Sequence, residues 1–470
     1  MVDEEFDVVV IGGGAPGEVA AGRIAAGGLR TALVEAELFG GECSYWACMP
    51  SKALLRPGAL RAAARRVPGV RVEDDLDTAA VLQRRTSFTS NWDDSGQVEW
   101  VESVGLTPVR GRARITAERR VTVETADGAT LALTAKHAVV VVTGSTPTIP
   151  PLDGIDDVEY WTSRDATSAK EVPESLVVLG GGVVGVEMAQ AWAWLGARVS
   201  LVVSGERPLP RLEPFAGDLV ADGLREAGVT LHLDSRASGV RKTADGVELL
   251  LADGSSVTGQ HLLIATGRRP NTADLGLEEF GVEPGAPLAT DDRGRVSAVD
   301  GGWLWALGDV TGRALLTHQG KYQGRIFGDA LVASVRGRVD TLPWSKHSAT
   351  ADHVAVPQVV FTDPEVASVG RAEAEARDAG LNVRVVTIDF AVAGSSVHAD
   401  GYRGKASIVV DEEKRTIVGA TFVGQDVAEL LHAATVAIVG EVPLDRLWHA
   451  VPAYPTMSEI YLRLLEAYGL

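Results

Sequence analysis

Cys43 and Cys48 are the only cysteines of the 470 residues, and both stand in the segment GGECSYWACMPSK (residues 40–52). A disulfide between them would remove only roughly 2 kcal/mol of unfolded-chain entropy, so it would stabilise the folded protein little. No further Cys or His lies at the short spacing of a zinc site. Residues five apart in a regular helix have Cα atoms roughly 8–9 Å apart, so a disulfide here requires a loop or a distorted turn. The pair favours a redox site over two unreactive thiols.

A helix is predicted directly after the second cysteine. Pro50 suits the first turn of a helix, and Pro57 is expected to end it. Cys48 would then lie at a helix N-terminus with Lys52 one turn further along. Both the helix dipole and the lysine charge favour the thiolate form of a cysteine.

The segment DVVVIGGGAPG (residues 7–17) carries the glycine pattern of a dinucleotide site, with Gly12, Gly14 and Gly17 between a predicted strand and a predicted helix. The glycines allow a tight turn and let the backbone approach a pyrophosphate at the helix N-terminus. The next predicted strand ends in Glu35, which stands where an acidic residue can accept a hydrogen bond from a ribose hydroxyl. These residues predict a first dinucleotide site.

A second segment, LVVLGGGVVGVE (residues 176–187), repeats this arrangement of strand, turn and helix. Its glycines are Gly180, Gly182 and Gly185. The strand that follows does not end in Asp or Glu; Ser204 comes next, with Arg207 and Arg211 shortly after. An acidic residue would bind a free 2′-hydroxyl, so its absence beside two arginines favours a 2′-phosphate. The second site is therefore predicted to bind NADPH in preference to NADH.

The composition is that of a globular protein, with 46% hydrophobic and 23% charged residues. The net charge of −19 disfavours nucleic acid and anionic membrane surfaces as partners. No apolar run is long enough for a membrane span, and the first residues, MVDEEF, lack the positive charge of a secretory signal. We expect a cytoplasmic protein, and in that compartment a close cysteine pair is more often catalytic or metal-binding than structural.

Short strands are predicted between the cysteine helix and residue 143. They cover residues 109–115, 120–125 and 130–133, with a turn at Asp127-Gly128, and they indicate a small antiparallel meander.

Taken together, these segments resemble the pyridine nucleotide–disulfide oxidoreductases, the family of glutathione reductase, dihydrolipoamide dehydrogenase and mercuric reductase. The resemblance spans essentially the whole chain, and its most specific part is the cysteine segment, which the family writes close to G-G-T-C-x-x-x-x-C-x-P-S-K. Further similar segments follow in the family's order: VTGSTP (142–147), ATGRRP (265–270), ALGD (306–309) and FTDPEVASVG (361–370).

The resemblance implies an α/β fold with two Rossmann-like dinucleotide-binding domains and an α+β C-terminal dimerisation domain. The implied FAD domain is discontinuous, residues 1–150 and 271–345, and residues 151–270 form the inserted NAD(P) domain. Residues 346–470 form the interface domain of a homodimer.

The resemblance also implies the chemistry. Reduced nicotinamide passes hydride to FAD, and the flavin reduces a Cys43–Cys48 disulfide, with Cys48 against the ring and Cys43 attacking substrate. Lys52 would pair with Glu187 near flavin and nicotinamide. The implied FAD contacts are Gly12, Gly14, Gly17, Glu35, Lys52, Thr143, Gly144, Ser145, Asp309, Leu316 and Thr317. The implied NAD(P) contacts are Gly180, Gly182, Gly185, Glu187, Ser204, Arg207, Arg211 and Gly267. No metal site is expected.

One departure from the family pattern concerns its C-terminal base, a histidine supplied by the partner subunit. Here the segment reads VPAYPTMSE (451–459), with Tyr454 in place of the histidine, while Glu459, which would orient it, remains. Ionising an ordinary tyrosine at pH 7 costs roughly 4 kcal/mol, so Tyr454 would lose most general-base assistance, which is typically worth ~10²–10⁴-fold in rate. It could donate a hydrogen bond, or only pack at the interface. His449 and His318 are weak alternatives for the base.

Further departures bear on the substrate. Glu42 replaces the family's threonine before the first cysteine, and its charge would oppose a Cys43 thiolate. The additional C-terminal cysteine pair of mercuric reductases has no counterpart.

Three functions remain open. The first is an FAD-dependent NAD(P)H oxidoreductase that passes electrons through the cysteine pair to an unusual small-molecule acceptor, such as a quinone, a metal ion or a particular disulfide. The second is an ordinary disulfide reductase that uses Tyr454 or water in place of the base. The third is a catalytically weak flavoprotein that serves as a subunit or sensor.

Overall fold

The computed structural model describes residues 2–470. In chain order, the strands are β1 (Val2–Ile11), β2 (Thr31–Glu35), β3 (Thr107–Arg110), β4 (Arg112–Ala117), β5 (Arg120–Glu124), β6 (Thr130–Val141), β7 (Ser145–Pro147), β8 (Ser175–Leu179), β9 (Arg198–Val202), β10 (Thr230–His232), β11 (Ala237–Thr243), β12 (Gly246–Leu251), β13 (Ser256–Gly259), β14 (His261–Ile264), β15 (Arg268–Pro270), β16 (Leu304–Ala306), β17 (Pro357–Val360), β18 (Glu365–Gly370), β19 (Val383–Asp389), β20 (Lys405–Asp411) and β21 (Thr416–Gly424).

The helices are α1 (Ala15–Ala26), α2 (Gly41–Tyr45), α3 (Cys48–Arg65), α4 (Thr78–Phe88), α5 (Ser95–Ser103), α6 (Ser163–Ser168), α7 (Val183–Trp194), α8 (Pro214–Glu226), α9 (Thr317–Val335), α10 (Glu373–Asp378), α11 (Ala393–His398), α12 (Leu431–Val439), α13 (Leu444–Leu447) and α14 (Glu459–Tyr468). Within residues 2–470, none of these helices is both long and apolar enough to cross a membrane.

The chain forms two compact units, and the first comprises the chain up to Pro50 with Thr86–Pro147 and Arg268–Asp352. Its main sheet has the order β3-β2-β1-β6-β5-β4, and β16 also pairs with β6. Strands β1, β2, β3, β6 and β16 run parallel. Val8, Val9 and Val10 of β1 are all fully buried, as expected of a parallel strand covered on both faces. Helices α1 and α9 pack against each other and against one of these faces.

The predicted meander is present in part. Strands β4, β5 and β6 pair antiparallel, but the first predicted strand is two strands, because β3 pairs parallel with β2 and Gly111 separates it from β4. Gly111 has φ +156°, and a Cβ there would overlap the Glu124 backbone. The third predicted strand was too short, because β6 continues to Val141 as a central strand of the parallel sheet.

The second unit comprises Ser51–Arg85, Thr148–Gly267 and His353–Leu470. It contains a parallel sheet of order β10-β9-β8-β14, an antiparallel sheet of order β11-β12-β13, and a five-stranded antiparallel sheet of order β17-β18-β21-β20-β19. Apolar side chains of α7, α8 and the parallel sheet form a continuous core, with Trp192 fully buried in it. The two Rossmann-like sheets and the C-terminal α+β sheet agree with the predicted fold class.

The prediction that Pro57 ends the cysteine helix was wrong, because α3 continues to Arg65. A proline inside a helix leaves the carbonyl four residues earlier without its N–H partner. Here that carbonyl belongs to Ala53, and it accepts a hydrogen bond of 3.1 Å from Arg84 Nη1. The arginine on α4 supplies the missing donor, so the helix passes through the proline.

The predicted division into residues 1–150 with 271–345, 151–270 and 346–470 stays a prediction. The compact units place residues 51–85 with the second unit, where Gly58 of α3 packs against the Trp194 ring and Arg85 donates to the carbonyl oxygens of Thr167 and Ala169.

Candidate functional site

A break between two helices brings the cysteines together. Cys43 lies in α2, which ends at Tyr45, and Cys48 is the first residue of α3. Gly40 and Gly41 have φ angles of +105° and +61°, and a Cβ on Gly41 would lie 2.7 Å from the Gly14 Cα. These glycines let the cysteine segment lie against the first glycine loop. Both cysteines are partly buried thiols, and the segment is the distorted turn that their spacing required.

The surroundings of Cys43 raise the pKa of its thiol. The hydrogen bond to the Cys48 sulfur raises the pKa of Cys43, as do burial and the charge of a Cys48 thiolate, whereas Thr317 and Lys321 lower it. Cys48 Sγ lies 3.2 Å from Thr317 Oγ1, at the N-terminus of α9. Cys48 also stands at the N-terminus of α3, where the helix dipole stabilises a thiolate.

Glu42, whose charge was expected to oppose a Cys43 thiolate, has a cation beside it. Arg268 Nη2 lies 3.5 Å from Glu42 Oε1. The same guanidinium donates through Nε to Ser145 Oγ at 2.7 Å, and Ser145 donates to Asp309 Oδ2 at 2.6 Å. Burial raises the pKa of Asp309, and the Ser145 hydrogen bond and the Arg268 charge lower it. Arg268 therefore compensates two carboxylates, and the opposing effect of Glu42 is offset.

The first glycine loop leaves open the space that a bound pyrophosphate needs. A Cβ on Gly12 would overlap Val142 O, and a Cβ on Gly17 would overlap Gly12 O, so only glycine fits at either position. Above Gly14 the nearest atom to such a Cβ is 3.9 Å away. Glu35 accepts from the Gly13 N–H at 2.7 Å, and its second oxygen accepts from Glu37 N. Burial raises the pKa of Glu35.

Apart from Lys52, which belongs to the second unit, the remaining predicted FAD contacts lie in the same unit as the first glycine loop. Thr143 Oγ1 donates to Asn271 O at 2.7 Å, and Asn271 Nδ2 donates to Thr143 O at 3.0 Å. Gly144 has φ +72° and accepts the Asn271 N–H. Leu316 directly precedes α9 and is partly buried.

Lys52 and Glu187 form an ion pair in the second unit. Lys52 Nζ lies 2.7 Å from Glu187 Oε2, and Glu187 Oε1 accepts the Phe361 N–H at 3.0 Å. The Glu187 side chain is 4% exposed and the Lys52 side chain 36%. Lys52 Nζ also lies 5.0 Å from the centre of the Phe361 ring. Each oxygen of the buried carboxylate thus has a donor.

The second glycine loop repeats the geometry of the first. A Cβ on Gly180 would overlap Ala265 O, one on Gly185 would overlap Gly180 O, and none of the described atoms lies within 4 Å of such a Cβ on Gly182. Gly267, with φ +137°, is equally open. The N-terminus of α7 begins directly after Gly182 without a side-chain cap. An anion could bind at this helix end.

Three residues are predicted to surround a 2′-phosphate, and they differ in exposure and in ion pairing. Ser204 and Arg211 are exposed. Arg207 pairs with Glu206 at 2.8 Å and with Asp218 at 3.1 Å. Two carboxylates already neutralise Arg207, so of the two arginines Arg211 is the better candidate for contacting a phosphate.

Tyr454 and Glu459 differ strongly in exposure. Tyr454 is 78% exposed, whereas Glu459, the first residue of α14, is 6% exposed. Glu459 Oε2 is buried and has no hydrogen-bond partner among residues 2–470. His449 and His318 are both exposed.

Two family models match the chain. The model of the pyridine nucleotide-disulphide oxidoreductases matches residues 6–324, and the model of that family's dimerisation domain matches residues 356–464. The chain belongs to the pyridine nucleotide-disulphide oxidoreductases. The predicted family, the fold class and the enzymatic class are confirmed, and the dimerisation domain indicates a homodimer.

Relatives of this oxidoreductase match over nearly its whole length. The mercuric reductase of Streptomyces lividans is 32% identical over 467 residues, 97% of this chain and 94% of that one. The dihydrolipoyl dehydrogenase of Chlorobaculum tepidum is 32% identical over 465 residues, 97% of this chain and 95% of that one.

Two solved structures share the fold of the whole chain. One is the Cu(II) complex of RclA, an HOCl-induced flavoprotein disulfide reductase from Escherichia coli, with TM-score 0.83, 26% identity and coverage of 98% and 99%. The other is LpdA from Mycobacterium tuberculosis, with TM-score 0.84, 25% identity and complete coverage of both chains.

The family implies FAD and a pyridine nucleotide, and the residues of the oxidoreductase fit both. Each glycine loop excludes a side chain at its tight turn and is open at the helix N-terminus, as a pyrophosphate requires. Asp309 and Glu35 retain free lone pairs for hydroxyl groups, because a carboxylate accepts about four hydrogen bonds.

The sequence interpretation did not assign roles to Arg268, Glu18 or Lys321. The signal for Glu18 was available, because a glutamate follows Gly17 on a helix face that otherwise carries Ala and Ile. Arg268 lies in the ATGRRP segment, but its partners come from distant parts of the chain and could not be paired by spacing.

Proposed function

We propose that this oxidoreductase passes electrons from NAD(P)H through FAD to the Cys43–Cys48 pair and then to an acceptor other than an ordinary dithiol–disulfide. The observation that carries the proposal is the thiol pair itself, with Cys48 at a helix N-terminus and 3.2 Å from Thr317, and with the pKa of Cys43 raised by its hydrogen bond to Cys48 and by burial. When bound, FAD accepts hydride from reduced nicotinamide and delivers the electron pair to the disulfide.

The residues of the chain would each have a distinct role in this electron transfer. Cys48 would hold the thiolate, and Cys43, whose pKa is raised, would be a strong nucleophile toward substrate once ionised. The Lys52–Glu187 pair would provide a fixed positive charge whose carboxylate partner is held by Phe361. Thr143, Ser145 and the first glycine loop would bind FAD, and the second loop would bind the nicotinamide dinucleotide.

The unusual acceptor is proposed because Tyr454 replaces the family's base. A neutral phenol donates a hydrogen bond but accepts a proton poorly at pH 7, so interchange with an ordinary disulfide would be slow. In a homodimer the partner subunit's Tyr454 and the partner subunit's Glu459 would complete the site. The exposure of Tyr454 and the unpartnered oxygen of Glu459 are consistent with this arrangement. Quinones and metal ions need no proton relay of this kind.

NADPH is the proposed donor, with NADH as the alternative. Ser204 stands where an acidic residue would bind a 2′-hydroxyl, and the exposed Arg211 has no ion-pair partner among the described residues. Arg207 already pairs with two carboxylates, so Arg211 is the arginine that we propose to contact the 2′-phosphate.

An anaerobic titration with NADPH and with NADH tests the proposal. Wild-type protein should reach a two-electron-reduced form with a long-wavelength thiolate–flavin band. Cys43→Ser should show that band without reductant, because the Cys48 thiolate remains, and Cys48→Ser should lose it. Protein that never develops the band, or a band lost in Cys43→Ser and kept in Cys48→Ser, would refute the assignment.

An ordinary disulfide reductase is the second candidate, because several of the similar relatives are dihydrolipoyl dehydrogenases. A panel of lipoamide, quinone and metal-ion acceptors distinguishes the two. We expect low lipoamide turnover in the wild type and a gain of at least ~10-fold in Tyr454→His, in line with the value of a general base. Wild-type lipoamide turnover that Tyr454→His leaves unchanged would favour the second candidate. A protein inactive with every acceptor would instead be the weak flavoprotein.

A further inference from the structure

A buried carboxyl group that the proposed function does not use lies in the first turn of α1. Glu18 is 9% exposed, and its Oε1 is buried without a hydrogen-bond partner among residues 2–470. A buried carboxylate is costly unless it is paired or protonated. Glu18 is therefore either a structural liability or a group that exchanges a proton.

Three charged or titratable side chains interact electrostatically with Glu18. These are Lys321 on α9, Glu35 at the end of β2 and Tyr45 in α2. Burial raises the pKa of Glu18 to about 7, the Lys321 charge opposes this rise, and Glu35 adds to it. Burial also raises the pKa of Tyr45 to about 12, so Tyr45 stays neutral at physiological pH. Burial thus disfavours the carboxylate form of Glu18.

Helix α9 connects Glu18 to the thiols. Gly320 and Gly324 let α9 lie directly against α1, where Cβ atoms at these positions would come within 2.7 Å and 2.8 Å of Pro16. Thr317, whose hydroxyl lies 3.2 Å from Cys48 Sγ, stands one turn before Lys321 on the same helix. The Lys321 charge lowers the pKa of Cys43 as well as that of Glu18. The carboxyl and the thiol pair therefore share one cation.

We infer that Glu18 is the proton-exchanging partner of the Cys43–Cys48 pair and takes up a proton when the disulfide is reduced. The inference rests on the proposed function, which supplies NAD(P)H as the reductant. NAD(P)H, one proton, the disulfide and the Glu18 carboxylate yield NAD(P)⁺, the Cys43 thiol, the Cys48 thiolate and the Glu18 carboxylic acid. The S–S bond breaks, two electrons enter, and the hydride hydrogen and the added proton end on Cys43 and Glu18.

The physical cause is charge repulsion around Lys321. Reduction creates a thiolate that shares the positive charge of Lys321 with the Glu18 carboxylate. The carboxylate is then less well compensated, so the proton affinity of Glu18 increases. On reoxidation the carboxyl releases its proton while the acceptor takes the electron pair. Glu18 therefore acts on the thiol pair indirectly, by exchanging a proton in response to the charge that it shares with Lys321.

The test is the pH dependence of the cysteine couple in dithiothreitol buffers, with reduced cysteines alkylated and counted by mass spectrometry. In the FAD-loaded wild type, the reduction potential of the cysteine couple, calculated from the potential of dithiothreitol at each pH, should fall by more than about 30 mV per pH unit between about pH 7 and about pH 8, because more than one proton accompanies two electrons. In Glu18→Gln this dependence should return to about 30 mV per pH unit, the value for one proton and two electrons. Glu365→Gln is a matched control, because burial raises the pKa of Glu365 to about 7 as well, with neither a thiol nor Lys321 among the causes.

A second readout is measured first in the wild type and then in the same two variants. The infrared difference spectrum between reduced and oxidised wild type should gain a protonated-carboxyl band, which Glu18→Gln removes and Glu365→Gln keeps. Equal pH dependence in wild type and Glu18→Gln, or no carboxyl band on reduction, overturns the inference. A cysteine pair that does not titrate with two electrons overturns the proposed function instead, so the two failures are distinguishable.

Discussion

The Lys52–Glu187 ion pair predicts an asymmetric response to substitution, because its two members differ in burial. Lys52→Met leaves a carboxylate whose side chain is 4% exposed, with only the Phe361 N–H as donor. Breaking a fully buried pair typically costs about 3–5 kcal/mol, and the 36% exposure of Lys52 reduces this through solvent screening. We expect Lys52→Met to lower the free energy of unfolding by about 2 kcal/mol.

The opposite substitution should cost less. Glu187→Gln keeps an oxygen for the Phe361 N–H and leaves an ammonium that reaches water, so we expect a loss of about 1 kcal/mol or less. In the double variant the uncompensated carboxylate is gone, and its stability should approach that of Glu187→Gln. The resulting coupling energy would be about 1–2 kcal/mol.

The assay is urea unfolding of the four proteins at saturating FAD, analysed as a double-mutant cycle with a check that the denaturant slope is unchanged. Lys170→Met, which removes an exposed lysine of the same unit, should change stability by less than about 0.5 kcal/mol. Equal losses in Lys52→Met and Glu187→Gln, or a larger loss in Glu187→Gln, would refute the claim that burial of the carboxylate decides the cost.

Two further predictions concern stability. Gly58→Ala should destabilise the protein by about 1–3 kcal/mol, because the added methyl group would overlap the Trp194 ring. Gly96→Ala should stabilise it by up to about 1 kcal/mol, because Gly96 lies in a helix and none of the described atoms is within 4 Å of the added methyl group. Thermal unfolding midpoints in the reverse order would contradict this prediction. Burial raises the pKa of Glu365 from 4.5 to about 7, so its stabilising contribution is complete below about pH 4.5 and is lost as the pH rises through about 7. Wild type should therefore lose up to about 3 kcal/mol relative to Glu365→Gln between about pH 5 and about pH 8 in urea unfolding, and a difference independent of pH would show that the carboxyl is not desolvated.

Much of the candidate site could be predicted from sequence because its parts are local. The glycine loops, the strands before them and Glu35 are specified within about 30 residues, and a backbone that must approach a pyrophosphate admits only glycine at Gly12 and Gly17. A disulfide at this cysteine spacing predicted a loop or a distorted turn, and the structure has a break between two helices there. The position of Cys48 at a helix start predicts that it favours the thiolate form.

Tertiary structure decided what depends on partners distant in the chain. Pro57 was expected to end α3, but Arg84 supplies the missing donor, and spacing cannot show which side chain meets a given carbonyl. Glu42 was expected to oppose a thiolate until Arg268, from a segment more than two hundred residues away, was found beside it. The sequence by itself determined the local backbone of this oxidoreductase, because turns and helix starts depend on neighbouring residues. The charge balance around its thiols was decided only by folding, because electrostatic energy depends on distance in space and on burial.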